Sequence, residues 1–251
     1  MDGAVLQKLA GKSATLESLF EEISESINAR PPFSLGVPSE TAQSSYYPGN
    51  DIQNSDLAIV STILEQNSIF PENTRVHKID DGTGFEVLLA SVEEGDIAQF
   101  PLPNSNGSVR VRRGDHSSDL QQVCAELTEA SKFTANTLQR ELLGAYIESF
   151  QSGSLDTYRK SQRIWVQDKA PRVENIFGFV EPYRDPYGIR AEFEALVAIA
   201  DDQETRLLAK LVEHSATFIR RLPWATPEND GRGPFEKNLF EPPDFSSIHS
   251  E

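Results

Sequence analysis

Cysteine, histidine and long apolar runs are scarce in this sequence of 251 residues. The single cysteine, Cys124, excludes an intrachain disulfide and is typical of a reducing compartment. The four histidines include no pair within one helical turn, so the H-E-x-x-H spacing of helical zinc sites is absent. We therefore expect no bound metal and no other cofactor. The histidines are His77, His116, His214 and His249.

The longest apolar run and the balance of charge also exclude several partners. The run ALVAIA, at residues 195–200, is far too short to span a bilayer, and the acidic N-terminus lacks the apolar core of a secretory signal. We expect a cytoplasmic protein. Acidic residues outnumber basic ones by 39 to 23, which gives a formal net charge of −16. Because such a surface repels phosphates and anionic lipids, we expect neither nucleic-acid nor membrane partners.

Apolar residues recur at helical spacing in four parts of the chain. These are residues 16–27, 57–64, 120–146 with a break near Lys132, and 201–222. Ser13 or Thr15 is placed to cap the first helix, Asn50 or Asp51 the second, and Asp201 the last. Cys124 falls on an apolar stripe, which favours a core residue over a nucleophile.

Other segments alternate with a period of two, which predicts strands. Residues 76–79 and 85–92 flank Asp81-Gly82 and predict a hairpin, whereas Asp115 is predicted to cap the helix that follows. From Arg163 onwards, RIWVQDK, VENIFGFVEP and AEFEALVAIA predict three more strands. The expected fold is α+β, with a small, mostly antiparallel β-barrel or sheet and about four packing helices. We divide it into an N-terminal helical segment (1–30), an α+β lobe (31–224) and an extended C-terminal tail (225–251).

The stretch QRELLGAYIESF, at residues 139–150, contains four letters of a zinc motif spelled H-E-L-L-G-H. The positions that would hold the two histidines are Arg140 and Ala145. A guanidinium has no lone pair to give a cation, and a methyl group offers no ligand. The stretch is therefore interpreted as an ordinary amphipathic helix.

Residues 164–198 read IWVQDKAPRVENIFGFVEPYRDPYGIRAEFEALVA. This stretch contains W-x-Q-D-K-x-P, G-F-x-E-x-Y-R-D-P-x-G and E-F-E in that order, and RRGD and YIESF lie upstream. On these segments, the chain from Tyr46 to about Ser250 resembles the dipeptidyl peptidase III family. In the family the zinc motif lies downstream of the E-x-Y-R-D-P segment, whereas E-L-L-G lies upstream of it here. The resemblance implies the peptide-binding lobe, about a third of the family fold, without the zinc lobe.

The resemblance also implies four site residues. Glu181 matches the family glutamate that pairs with a peptide's N-terminal ammonium, and Tyr183 matches the tyrosine that donates to the substrate carbonyl as it becomes an oxyanion. Trp165 and Glu194 match positions near that cleft. Pro182 stands where the family usually has a small polar residue, and it removes a backbone N–H.

Each of these residues also has a structural interpretation. Trp165 is then a core residue, Glu194 is an exposed carboxylate on a strand, and Arg184 forms a salt bridge with Asp185 that fixes a turn.

Three functions remain open at this stage. The first is a metal-free protein that keeps a cleft for a peptide or small molecule and does not hydrolyse peptides by a zinc mechanism. The second is a repurposed, cofactor-independent enzyme of isomerase, lyase or cyclase type, for example in a biosynthetic pathway. It would use Tyr183 and Glu181 as acid/base groups. The third is half of a split zinc dipeptidyl peptidase, whose partner chain covers an exposed apolar face. In the first two, the N-terminal helix or a homodimer closes that face.

Overall fold

The computed structural model describes residues 7–8, 10–28, 35–49, 51–79, 83–103, 105–169, 171–229 and 248–250. The helices are α1 (Ala14–Asn28), α2 (Asn54–Gln66), α3 (Ser117–Ala130), α4 (Thr137–Ser152), α5 (Leu155–Trp165), α6 (Asp202–Glu213) and α7 (Ser215–Ile219). The strands are β1 (Thr74–Lys78), β2 (Gly84–Ala90), β3 (Gly95–Pro101), β4 (Ser108–Asp115), β5 (Val173–Phe179), β6 (Phe193–Ala200) and β7 (Ile248–Ser250).

The first four strands form one sheet in the order β1-β2-β4-β3. β1 pairs antiparallel with β2, which confirms the predicted hairpin, and the turn residues Asp81-Gly82 lie outside the described residues. β2 and β4 pair in parallel, and β3 pairs antiparallel with β4. The sequence does not predict β3, because its side chains are mostly exposed and carry no apolar alternation.

Helix α2 covers the four-stranded sheet and forms the first core with it. Its residues Leu57, Val60 and Leu64 are buried, as predicted, against valines of β1, β2 and β4. The helix begins later than predicted, because Gln53 and not Asp51 is its N-cap residue. The position of Asn50 lies outside the described residues.

Helices α3, α4 and α5 form a second core. Its buried residues are Ala90, Leu120, Cys124, Leu127, Leu142, Leu143, Tyr146 and Phe150. The 3-10 turn Ser131–Phe133 separates α3 from α4, which confirms the predicted break near Lys132. Cys124 is buried as predicted, and burial raises the pKa of its thiol.

Two further local predictions are wrong. Asp115 does not cap α3, since His116 is the N-cap residue and the Asp115 carboxylate accepts two hydrogen bonds from Arg75, at 2.7 and 2.6 Å. RIWVQDK is not a strand, because Arg163–Trp165 form the last turn of α5. Its apparent alternation arises where Ile164 and Trp165 pack against the second core. The Ser154 hydroxyl caps α5 by accepting the N–H of Thr157 at 3.2 Å.

The last three strands form a second antiparallel sheet in the order β5-β6-β7. The predictions of strands β5 and β6 are confirmed. Within the described residues the two sheets remain open, so a sheet is confirmed and a closed barrel is not. Helices α2–α5 supply the two cores, in agreement with about four packing helices. The division into three segments stays a prediction, and residues 230–247 of the predicted tail lie outside the described residues.

Apolar residues of α1 and α6 are exposed to solvent, and those of α6 are Leu207 and Leu211. On α1 the exposed residues include Leu16, Leu19, Ile23 and Ile27. Asp201 caps α6 as predicted, since its Oδ1 accepts the N–H groups of Gln203 at 2.9 Å and of Glu204 at 3.0 Å. None of the helices that the structure describes combines the length and the apolar character needed to cross a bilayer.

Candidate functional site

The segment that carries Glu181 and Tyr183 follows β5 and is held by the beginning of β6. The N–H of Val180 donates to the carbonyl of Glu192 at 3.2 Å, and the N–H of Glu192 donates to the carbonyl of Glu181 at 3.0 Å. These two bonds continue the β5–β6 pairing past Phe179. The backbone position of Glu181 is therefore fixed relative to β6, although it lies outside the regular strand.

The next turn is fixed by Asp185, which is 6% exposed. Its carboxylate accepts the backbone N–H groups of Tyr187, Ile189 and Arg190 at 3.0, 2.9 and 2.8 Å. It also accepts the hydroxyl of Tyr47. The structural interpretation predicted a salt bridge between Arg184 and Asp185, and this prediction is wrong. The Nε of Arg184 lies 2.9 Å from Oε2 of Glu192 instead.

Arg190 and Tyr47 complete a buried network behind this turn. The guanidinium of Arg190 is fully buried, and its Nη1 donates to the Tyr47 hydroxyl at 3.3 Å. Burial raises the pKa of Tyr47, and the hydrogen bond to Asp185 acts in the same direction while Arg190 opposes it. The network ties the turn after Tyr183 to the first core, which contains Tyr47.

Of the four predicted site residues, only Glu181 and Tyr183 lie on one short segment of the chain. Tyr183 is 77% exposed, whereas Glu181 is half-buried. Among the described residues, neither side chain forms a hydrogen bond or an ion pair. The unequal exposure of the two residues departs from the shared face of a regular strand.

Trp165 lies at the other end of the β5–β6 hairpin. Its Nε1 donates to Oε1 of Glu174 at 2.8 Å, and its ring packs against the second core. Glu174 precedes Glu181 by seven positions along an extended segment, which corresponds to about 23 Å. The structure therefore does not place the Trp165 indole N–H beside Glu181, and the core interpretation accounts for its contacts.

Glu194 lies opposite Gly178 in the β5–β6 register. The ring of Tyr158 covers Gly178, where an added Cβ would lie 2.4 Å from Tyr158 Cε2. Burial, followed by the nearby Tyr146 and Glu194, raises the pKa of Tyr158. Glu194 thus neighbours the aromatic part of the second core.

A pocket of about 480 Å³ opens beside the start of β6. Its lining includes Glu72, Asn73, Arg184 and Glu192, and none of the four predicted residues. The sequence did not indicate Glu192, although it is the first glutamate of the E-F-E segment that ends at Glu194. Glu72 and Asn73 precede β1, where no sequence pattern distinguishes them.

Tyr46 lines the same pocket, and its titration makes the stability of the fold depend on pH. Burial, with the nearby Glu192 and Asp185, raises the pKa of Tyr46 to about 12 from 10.0. Because the pKa of Tyr46 is raised in the folded state relative to the unfolded state, protonated Tyr46 contributes to stability. This contribution is complete below pH 10 and is lost as the pH rises toward 12. We expect Tyr46→Phe to lose less stability than wild type between about pH 10 and pH 12. Urea unfolding at several pH values measures this, and equal losses would contradict it.

The E-L-L-G stretch forms the middle of α4, as the helix interpretation predicts. Leu142, Leu143 and Ala145 are buried, the two leucines in the second core, and Arg140 is exposed. In the part of the chain that the structure describes, no three His, Cys, Asp or Glu side chains come together in a group that could hold a metal ion.

The family profile and the curated proteins that match this chain point to the same family. The sequence profile of peptidase family M49 matches residues 19–250. Dipeptidyl peptidase 3 of Homo sapiens is 35% identical over 225 residues, which cover 85% of this chain and 29% of that protein. The corresponding protein of Dictyostelium discoideum is 35% identical over 208 residues, with coverages of 82% and 28%.

The fold comparison agrees with the sequence comparison. The structure of DPP III from Caldithrix abyssi superposes with a TM-score of 0.52 at 16% identity, over 87% of this chain and 38% of that chain. The chain thus spans less than a third of the length of the two curated relatives named above. On the extent of the profile match and on these identities, the chain belongs to peptidase family M49, the dipeptidyl peptidase III family.

Proposed function

We propose that this chain is a metal-free ligand-binding member of family M49, which takes a peptide or a similar small molecule and does not hydrolyse it by a zinc mechanism. The observation that carries this proposal is the backbone pairing of Glu181 with Glu192. This pairing fixes the backbone of the short segment that carries Glu181 and Tyr183. Within the described part of the chain, neither side chain has a hydrogen-bond or ion-pair partner, and Tyr183 is largely exposed.

The roles follow from the chemistry of the two side chains. The Glu181 carboxylate would accept hydrogen bonds from the N-terminal ammonium of a peptide, and a charge-assisted bond of this kind is strong when it is partly desolvated. The Tyr183 hydroxyl would donate to a ligand carbonyl. The exposure of Tyr183 gives a ligand direct access to its hydroxyl.

The residues of this chain do not fit a zinc site of the kind that the family motif H-E-L-L-G-H provides. The sequence has four histidines and no H-E-x-x-H spacing, and the described residues contain no group of three ligating side chains. A zinc site typically needs two imidazoles and a carboxylate in near-tetrahedral geometry. We therefore assign no step to a metal.

The binding of tetra-alanine with a free N-terminus tests the role of Glu181. We expect the peptide to bind to wild type, and we expect Glu181→Gln to weaken the binding by about tenfold or more, because the ammonium loses a charged acceptor. Tyr183→Phe should weaken it by less. Isothermal titration calorimetry measures all three proteins, with Glu148→Gln on the exposed side of α4 as the matched control.

N-acetyl-tetra-alanine supplies the second comparison, since it lacks the ammonium. Equal binding of the acetylated and free peptides, or an unchanged affinity in Glu181→Gln, would remove Glu181 from this role. One tightly bound zinc per chain together with release of dipeptides from a chromogenic substrate would overturn the metal-free proposal.

A second candidate, one half of a split peptidase, is favoured by the exposed apolar residues of β5, β6, α6 and α7. Val173 and Ile199 are directly opposite in the register, and both are exposed. Further exposed residues are Val197, Leu207, Leu211, Phe218 and Trp224. Large exposed apolar surface marks interfaces. Light scattering on the same samples is the test, because a stable monomer at high concentration that still binds the peptide would exclude an obligate partner chain.

A further inference from the structure

We propose that the pocket beside β6 is a separate binding site for a small organic cation with a primary ammonium group and a compact apolar body. We call it the β6 pocket, and its argued lining consists of Glu72, Asn73, Glu192, Leu120, Val123 and Phe179. Neither Glu181 nor Tyr183 lines it. The proposal therefore stands independently of the peptide-binding role of those residues.

Three acceptor oxygens in the lining have no hydrogen-bond partner. They are Oε2 of Glu72, Oδ1 of Asn73 and Oε1 of Glu192, and all three are buried. Asn73 is only 5% exposed, and its Nδ2 is already committed to the carbonyl of Gly153 at 3.0 Å. Because leaving a buried acceptor unpaired is costly, a ligand that brings donors gains from all three residues.

Each of the two glutamates uses one oxygen in an ion pair and leaves the other free. Oε2 of Glu192 pairs with Arg184 at 2.9 Å, and Oε1 of Glu72 pairs with Arg159 at 3.5 Å. The terminal torsion of a glutamate is broad, so a ligand in the pocket can reorient either carboxylate at low energetic cost.

The charge of the pocket favours a cation over an anion. Glu72, Asp115, Asp119 and Glu192 give the lining four carboxylates, against two guanidinium groups from Arg75 and Arg184. Both guanidinium groups are already paired, Arg75 with Asp115 at 2.6 Å and Arg184 with Glu192 at 2.9 Å. The two guanidinium groups are therefore committed, whereas three acceptor oxygens of the lining have no partner.

A primary ammonium matches this arrangement best. It carries three N–H donors and no acceptor, and three unpaired oxygens are on offer. The lining also includes the apolar residues Leu120, Val123 and Phe179, which suit a short aliphatic or aromatic body. The volume of about 480 Å³ lies within the range of small-molecule sites.

The test uses phenethylammonium as the probe and 2-phenylethanol as its uncharged counterpart. NMR titration of the full chain is expected to show phenethylammonium binding that perturbs the resonances of Glu192, Asn73 and Val123, and alcohol binding at least about tenfold weaker. Glu192→Gln keeps the shape of the side chain and removes its charge. We expect this variant to weaken the binding of phenethylammonium by about tenfold and to leave the binding of 2-phenylethanol nearly unchanged.

Two further variants separate the site from general effects of charge and stability. Glu126→Gln, at an exposed position of α3 outside the pocket, should keep the affinity of wild type. Val123→Trp should fill the pocket and abolish the binding of both probes, and thermal unfolding checks that it still folds. If it does not fold, Val123→Phe replaces it.

The outcomes are decisive in both directions. Ammonium binding that depends on Glu192 and is blocked at Val123 supports the site. No ammonium binding at 10 mM probe, equal binding of alcohol and ammonium, or full affinity in Glu192→Gln overturns it. Because the peptide assay responds to Glu181 and this assay to Glu192, the failure of one proposal leaves the other intact.

Discussion

Replacing Asp185 with alanine is expected to lower the free energy of unfolding by about 3–5 kcal/mol, a typical cost of breaking a buried charged network. The carboxylate accepts four hydrogen bonds, three from backbone N–H groups and one from Tyr47. Its removal leaves these donors without their acceptor. It also removes negative charge from the surroundings of the Arg190 guanidinium, which is fully buried. Urea unfolding followed by circular dichroism measures the change.

Two variants define the scale of this effect. Asp156→Ala removes a carboxylate whose side chain is 84% exposed, and a surface ion pair of this kind contributes about 0–1 kcal/mol. Tyr47→Phe deletes a single hydroxyl of the network and should cost about 1–2 kcal/mol. A loss below about 1 kcal/mol in Asp185→Ala would show that the network does not hold the turn.

Replacing Gly84 with alanine is expected to cost about 3 kcal/mol, near the upper end of the range for overpacking. Gly84 is paired with Ser108 where β2 and β4 run in parallel, and an added Cβ would lie 2.0 Å from the carbonyl oxygen of Ser108. Because that neighbour is backbone, no side-chain rotation relieves the overlap, and the two strands must separate locally. Thermal unfolding measures the loss.

Gly144→Ala is the matched control with the opposite sign. Gly144 lies inside α4, and an added Cβ would meet nothing within 4 Å. Alanine is favoured over glycine in a helix by about 0.5–1 kcal/mol, so this variant should be slightly more stable than wild type. A stabilised Gly84→Ala, or two variants that behave alike, would contradict the close approach of β2 and β4.

The sequence predicts correctly the elements that pack one face against a single core, because their apolar residues then recur at a regular spacing. Helix α2 and the β1–β2 hairpin face each other across the first core, so each shows its own period clearly. Helix α5 escaped prediction because its apolar residues are few. Ile164 and Trp165 stand next to each other at its end, and this arrangement imitates the alternation of a strand.

The candidate site is less accessible to prediction than the fold. The family resemblance led to Glu181 and Tyr183, whose positions depend on the pairing of Glu181 with Glu192 in the three-dimensional structure. The β6 pocket could not be predicted, because Glu72 and Glu192 are far apart in sequence. They approach only where the N–H of Ala191 donates to the carbonyl of Glu72, at 2.8 Å.

The order β1-β2-β4-β3 also determines how the first sheet meets other molecules. It leaves β1 and β3 as the outer strands, and an unprotected outer strand is a template for self-association. The N–H of Val76 in β1 already donates to the carbonyl of Tyr46 at 2.9 Å, so a neighbouring segment shields that border. β3 has a register shift between Asp96 and Ala98 and ends at Pro101, which lacks an N–H. Both borders are thereby poor partners for a second sheet, which protects an acidic chain with exposed apolar residues from aggregation.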